Sequence, residues 1–132
     1  MYFPIRMFRG SKMPKAKDLN KYSGVDVVAQ SIFDAFAEVL NSIKSKQHRN
    51  TLVSLNSVSI SLDKEQIGLI IDKFITPKGI YISVETYTEI LSKNSLQIYT
   101  TISKKLLKLD YEYSIYGDPK DFSTIMTVKW GK

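Results

Sequence analysis

The longest regular pattern in the chain is helical. Val25, Val28, Ala29, Ile32, Phe36, Val39, Leu40 and Ile43 recur at steps of three and four residues over about five turns. A stripe that wide must be covered along most of its length, so the rest of the chain has to fold around it. Ser23 and Asp26 give it an S-x-x-D start of the capping-box kind. Asp26, Asp34 and Glu38 lie early and midway, while Lys44, Lys46, His48 and Arg49 lie at the end, where cations complement the helix dipole. The spacing predicts a helix over 24–47. A chain of 132 residues that is 43% hydrophobic and 24% charged has room for one core, so residues 23–132 are expected to form a single domain.

What covers the helix is read from the period of the remaining segments. Residues 51–62 are rich in Val, Leu and Ser and alternate as a strand does. Asp63 then stands as a cap before Ile67, Ile70, Ile71 and Phe74, which favours a short helix, although the Ile run also suits a strand. Thr76–Gly79 reads as a turn. From there Ile80, Ile82, Val84, Thr86, Thr88 and Ile90 put β-branched residues on alternate positions. Leu96, Ile98, Thr100 and Ile102 continue that period, as do Leu107–Ile115 and Phe122–Trp130. The expected fold is α+β, with one long N-terminal helix packed on an antiparallel β-meander.

A second parse fits part of the same sequence. Glu85–Leu91 can be a helix, Lys93–Asn94 a turn, Leu96–Leu109 a second helix, and Tyr111–Trp130 a β-hairpin around Gly117-Asp-Pro-Lys-Asp121. In that register Tyr87, Leu91 and Ile98 fall at core positions. Over about 70 residues, including the helix at 63–75, this resembles the winged helix-turn-helix of DNA-binding regulators, although Ser92 stands at the tight position between the helices instead of glycine. The resemblance implies duplex DNA as partner, contacted through Gln97 and Lys104.

Charge divides the chain unevenly. Residues 1–22 carry Arg6, Arg9, Lys12, Lys15, Lys17 and Lys21 against Asp18, a net of +5 out of +6, so the remaining 110 residues are close to neutral. A basic arm of this kind is expected to contact RNA, DNA or another polyanion, or a neighbouring subunit. Four of its cations recur every third residue, the period of an extended polyproline-type chain. Tyr2, Phe3 and Phe8 are interleaved with them as anchors for a base or a protein partner. On a meander, Tyr81, Tyr87, Tyr99 and Tyr116 would share the polar sheet face and form a partner-binding surface.

Several chemistries find no residues. The chain has no cysteine, which removes disulfides, thiolate metal sites and cysteine nucleophiles. His48 is the single histidine, so no multi-histidine metal site can be built. Asp110 and Glu112 would share one strand face about 6–7 Å apart, but no neighbouring residue completes a catalytic or metal site. No catalytic residues, metal or cofactor are therefore expected, nor a membrane span or a small-molecule substrate. The function expected is a non-enzymatic binding or assembly protein. It would be cytoplasmic or part of a virion or nucleoprotein particle, with self or other subunits as partners; the alternative is a winged-helix transcriptional regulator.

Overall fold

The computed structural model describes residues 13, 15, 24–46 and 56–131. The Ser23 cap, His48 and the first half of the 51–62 strand lie outside the described residues, as do the arm residues other than Met13 and Lys15. Helix α1 spans Val25–Lys46, as the spacing required. It follows Gly24, whose φ of +89° is left-handed backbone that glycine adopts without strain. Val25, Val28, Ala29, Ile32, Ala35 and Phe36 are buried, whereas Val39, Leu40 and Ile43 are only half-covered.

Strand β1 (Ser57–Ser61) leads into α2 (Lys64–Ile70). The Asp63 Oδ1 accepts the Gln66 N–H at 2.8 Å, so the expected cap is in place. The helix widens into a π turn at Ile71–Ile75, then tightens into a 3₁₀ turn at Thr76–Lys78 and stops at Gly79, with φ +86°. In the π turn Ile75 is buried while Phe74 is half-covered, shifting the expected apolar position by one residue.

The α+β class and the long leading helix hold, but the segment 79–107 does not form strands. It forms two helices, α3 (Val84–Lys93) and α4 (Ser95–Leu107). The alternation of β-branched residues is real, yet the same segments also satisfy a helical period. Val84, Tyr87, Thr88 and Leu91 face inward on α3, and Ile98, Ile102 and Leu106 on α4. Intrinsic propensity separates these residue types by only a few tenths of a kcal/mol each. Burying one large apolar side chain contributes about 1.5–3 kcal/mol, so the packing that buries the inward stripe decides. Ser83 adds a cap, its Oγ accepting the Thr86 N–H at 3.0 Å.

Strands β2 (Glu112–Tyr116) and β3 (Ile125–Lys129) form a hairpin, and β1 pairs antiparallel with the other edge of β3. The three-stranded order β1–β3–β2 replaces the expected meander, in which consecutive strands would be neighbours. Ile60, Met126 and Val128 point into the core, and Ser59, Thr127 and Ser114 form one outward row. Leu107 and Leu109, expected in a strand, instead end α4 and occupy the turn after it. The helix α3, the turn, α4 and the hairpin thus follow the element order of the second parse.

Candidate nucleic-acid interface

The junction between α3 and α4 is a single residue. The backbone carbonyl of Ile90 accepts both the N–H and the side-chain amide of Asn94, each at 3.0 Å, which closes α3. The Asn94 carbonyl then accepts the Ile98 N–H at 2.9 Å and opens α4. Asn94 closes α3 without left-handed backbone, at φ −123°, its side-chain amide supplying the second bond to the helix end. The α3–α4 pair is tied to α1 by Tyr87, which is fully buried, its hydroxyl 2.7 Å from the Ser31 Oγ.

With Ile98, Ile102 and Leu106 turned inward, the opposite face of α4 is fixed by helical geometry. It presents Leu96, Gln97, Thr100, Lys104 and Leu107, with Lys108 just beyond, and all six are exposed. From Ile90 to Leu109 the chain holds four lysines and no acid. Two of the four are engaged. Lys93 pairs with Glu89 at 2.9 Å. The Lys105 Nζ donates to the Gln30 Oε1 at 2.6 Å and lies 5.2 Å from the centre of the Phe33 ring, so it braces α4 on α1. Lys104 and Lys108 make no ion pair among the described residues and stand on the outward face.

The hairpin beside α4 is held by its own loop. A Cβ on Gly117 (φ +100°) would fall 2.1 Å from the Ser123 carbonyl oxygen, so only glycine fits that approach. The Ser123 Oγ accepts the Asp118 N–H at 3.0 Å and donates to the Asp121 Oδ1 at 2.5 Å, while the Asp118 Oδ1 accepts the Lys120 N–H at 2.9 Å. Two carboxylates to one lysine leave the loop acidic, unsuited to approach a phosphate. Of the two, α4 and not the hairpin tip presents an outward face free of acids.

The four tyrosines expected on one sheet face are dispersed. Tyr87 is in the core, because its segment is helix and position 87 lies on the inward stripe. Tyr81 is 83% exposed in the loop before α3, Tyr99 is half-buried on α4, and Tyr116 is 69% exposed on the outer face of β2. They share no surface. Burial pushes the Tyr87 and Tyr113 hydroxyls well above the usual tyrosine range, with Tyr99 adding to the shift at Tyr113. Asp110 is not on a strand beside Glu112: it sits in the turn before β2 with φ +67°, a conformation aspartate tolerates. Among the described residues no group of three or more His, Asp or Glu is placed to hold a metal ion. Nor is any helix there long and apolar enough to cross a membrane.

Lys15 is exposed, and the other arm cations, Arg6, Arg9, Lys12, Lys17 and Lys21, lie outside the described residues with Tyr2, Phe3 and Phe8. Sequence reasoning identified Gln97 and Lys104 only through the second parse and missed Thr100 and Lys108. The signal that could have found them was the acid-free run from Ile90 to Leu109. Comparison with protein-family models, with curated proteins and with solved structures yields no match to this chain.

Proposed function

We propose that the protein binds duplex DNA, with the outward face of α4 entering the major groove. The observation that carries this reading is the acid-free α4, held on α1 through Lys105 and on α3 through Asn94, with Gln97, Thr100 and Lys104 aligned outward. An α-helix fits the major groove, and in helix-turn-helix docking the N-terminal part of the second helix contacts base edges. Leu96 and Gln97 occupy that part. Glutamine pairs with the N6 and N7 of adenine, and an apolar side chain packs on a thymine methyl, so an A·T-containing site suits them. Lys104 and Lys108, further along, contact phosphates. On this reading the protein works as a non-enzymatic regulator or packaging protein in the cytoplasm or in a nucleoprotein particle.

The test is fluorescence anisotropy with labelled duplex and single-stranded DNA. Replacing Gln97, Thr100 and Lys104 together with Ala is expected to weaken duplex binding at least tenfold, with the circular dichroism spectrum unchanged. Binding that is equal for both DNA forms and insensitive to these residues refutes the reading. A second reading, docking on a protein subunit, is favoured by Leu96, Leu107 and Leu109, which are 79%, 59% and 57% exposed on and just after the same helix. It predicts a stable oligomer by light scattering that Leu96→Lys or Leu107→Lys dissociates.

A further inference from the structure

One edge of the sheet carries none of the usual protection against pairing. The Leu62 N–H donates to the Thr124 carbonyl at 2.8 Å and the Trp130 N–H to the Asn56 carbonyl at 2.9 Å, so the even-numbered residues of β1 turn their backbone groups toward β3. The N–H and C=O of Ser57, Ser59 and Ser61 therefore point the other way, and among the described residues β3 is the only strand paired with β1. Edge strands are commonly guarded by a charge or a proline, and residues 56–62 have neither. The opposite edge strand, β2, begins at Glu112 and lies between Asp110 and Asp118. A cleft of about 350 Å³ runs beside the open edge. Ser59, Ile60 and Ser61 line it with Val39 of α1, exposed Leu69 of α2 and Phe74 of the π turn, and no residue of β3 does. Glu38 and Lys73 join its walls at 2.9 Å and cancel in charge.

We propose that β1 pairs antiparallel with β1 of a second copy of this chain, about a two-fold axis at Ser59, so that two three-stranded sheets become one continuous sheet. The proposal is independent of the α4 reading. The occupant follows from self-complementarity. With Ser59 opposite its own copy, Ser57 falls opposite Ser61 and Val58 opposite Ile60. That register sets serine against serine on the outward face and aliphatic against aliphatic on the inner one. Ser57, Ser59 and Ser61 each offer one backbone donor and one acceptor, and under the two-fold every donor meets an acceptor. The outward hydroxyl row also continues across the axis. The Ser59 Oγ lies 2.7 Å from the Thr127 Oγ1, and Ser114 stands opposite Thr127, so the row of Ser114, Thr127 and Ser59 runs on into its symmetry mate. The strand offers no charge with which to select a different partner, whereas its own sequence satisfies it in both layers.

In sedimentation equilibrium the full chain should be a dimer that dissociates on dilution. The absence of cysteine lets the axis be tested directly. Opposed residues of a hydrogen-bonded antiparallel pair have Cα atoms about 5.5 Å apart, within disulfide reach. Ser59→Cys should therefore cross-link to a covalent dimer on air oxidation, whereas Ser114→Cys, on the outer face of β2, should not. The register is tested with charge. Ser57→Lys combined with Ser61→Lys sets like charges opposite each other at both ends of the pairing and should weaken the dimer by about tenfold. Ser57→Glu combined with Ser61→Glu should weaken it equally. An equimolar mixture of the two double variants should dimerise again, which separates lost pairing from misfolding. A chain that stays monomeric at every concentration overturns the proposal. So does an oligomer that both double variants leave unchanged, which assigns the contact to another surface such as the exposed leucines of α4. Equal cross-linking at positions 59 and 114 also overturns it, because random collision then forms the bond.

Discussion

Tyr87 provides the sharpest test of the architecture, because a sheet face and a helix-turn-helix place it in opposite environments. Its ring is fully buried between α3 and α1, and its hydroxyl shares a 2.7 Å hydrogen bond with Ser31. The Ser31 Oγ also donates to the Val28 carbonyl at 2.7 Å, so removing the tyrosine hydroxyl leaves Ser31 one partner. Tyr87→Phe should therefore cost about 1 kcal/mol, the net value of one ordinary hydrogen bond. Tyr87→Ala also removes the ring from a packed site and should cost about 3–5 kcal/mol. For a domain whose whole stability is about 5–15 kcal/mol, that loss leaves the alanine variant partly unfolded at 37 °C. Urea unfolding followed by circular dichroism measures both, and a double-mutant cycle with Ser31→Ala should return a coupling of about 1 kcal/mol. Tyr81, which is 83% exposed, serves as the control, with Tyr81→Ala expected to cost less than about 0.5 kcal/mol. If Tyr87→Ala costs no more than Tyr81→Ala, residue 87 is on an open surface and the α3–α1 packing described above is wrong.

The remaining predictions use the same framework. The Tyr87 and Tyr113 hydroxyls are raised above the ordinary value of 10, so the folded chain keeps protons that the unfolded chain gives up. Their contribution is whole below pH 10 and is lost as pH rises beyond it, by up to about 1.4 kcal/mol per pH unit for each tyrosine; urea midpoints from pH 8 to 12 should trace that fall. The buried Tyr113 hydroxyl meets no hydrogen-bond partner among the described residues. Tyr113→Phe should accordingly leave stability unchanged or raise it, and should make the alkaline slope shallower. Gly117→Ala places a Cβ on the Ser123 carbonyl and should open the hairpin loop, seen as loss of amide-exchange protection across β2 and β3. Lys104→Gln should reduce the salt slope of DNA binding by about 1, whereas Lys105→Gln should lower the melting temperature and leave that slope intact, since Lys105 is bound to α1.

Where the sequence was legible, one signal dominated. The stripe from Val25 to Ile43 admits only a helix, and Asp63 before Ile67 could cap α2 in any tertiary setting. Residues 80–102 were ambiguous because they carry two periods at once. Ile80, Ile82, Val84, Thr86, Thr88 and Ile90 alternate, yet Val84, Tyr87, Thr88 and Leu91 also lie on one helical face. No local preference separates those readings by more than a fraction of the energy gained from covering the inward stripe. The same ambiguity dispersed the expected tyrosine surface and concealed the α4 face, because Gln97, Thr100 and Lys104 have a common direction only once 95–107 is helical.

By itself the sequence determined the long helix, the α+β composition and the concentration of charge in residues 1–22. These depend on residue types at fixed spacing and are independent of what packs where. Tertiary structure alone decided that 84–107 is a helix pair and that β3 lies between β1 and β2. It also decided that Lys105 is engaged while Lys104 is exposed, and that Gly24 packs against the Ile90 side chain. The physical reason is the same in each case: the outcome turns on which apolar faces are buried against one another, and a linear pattern does not contain its own partner.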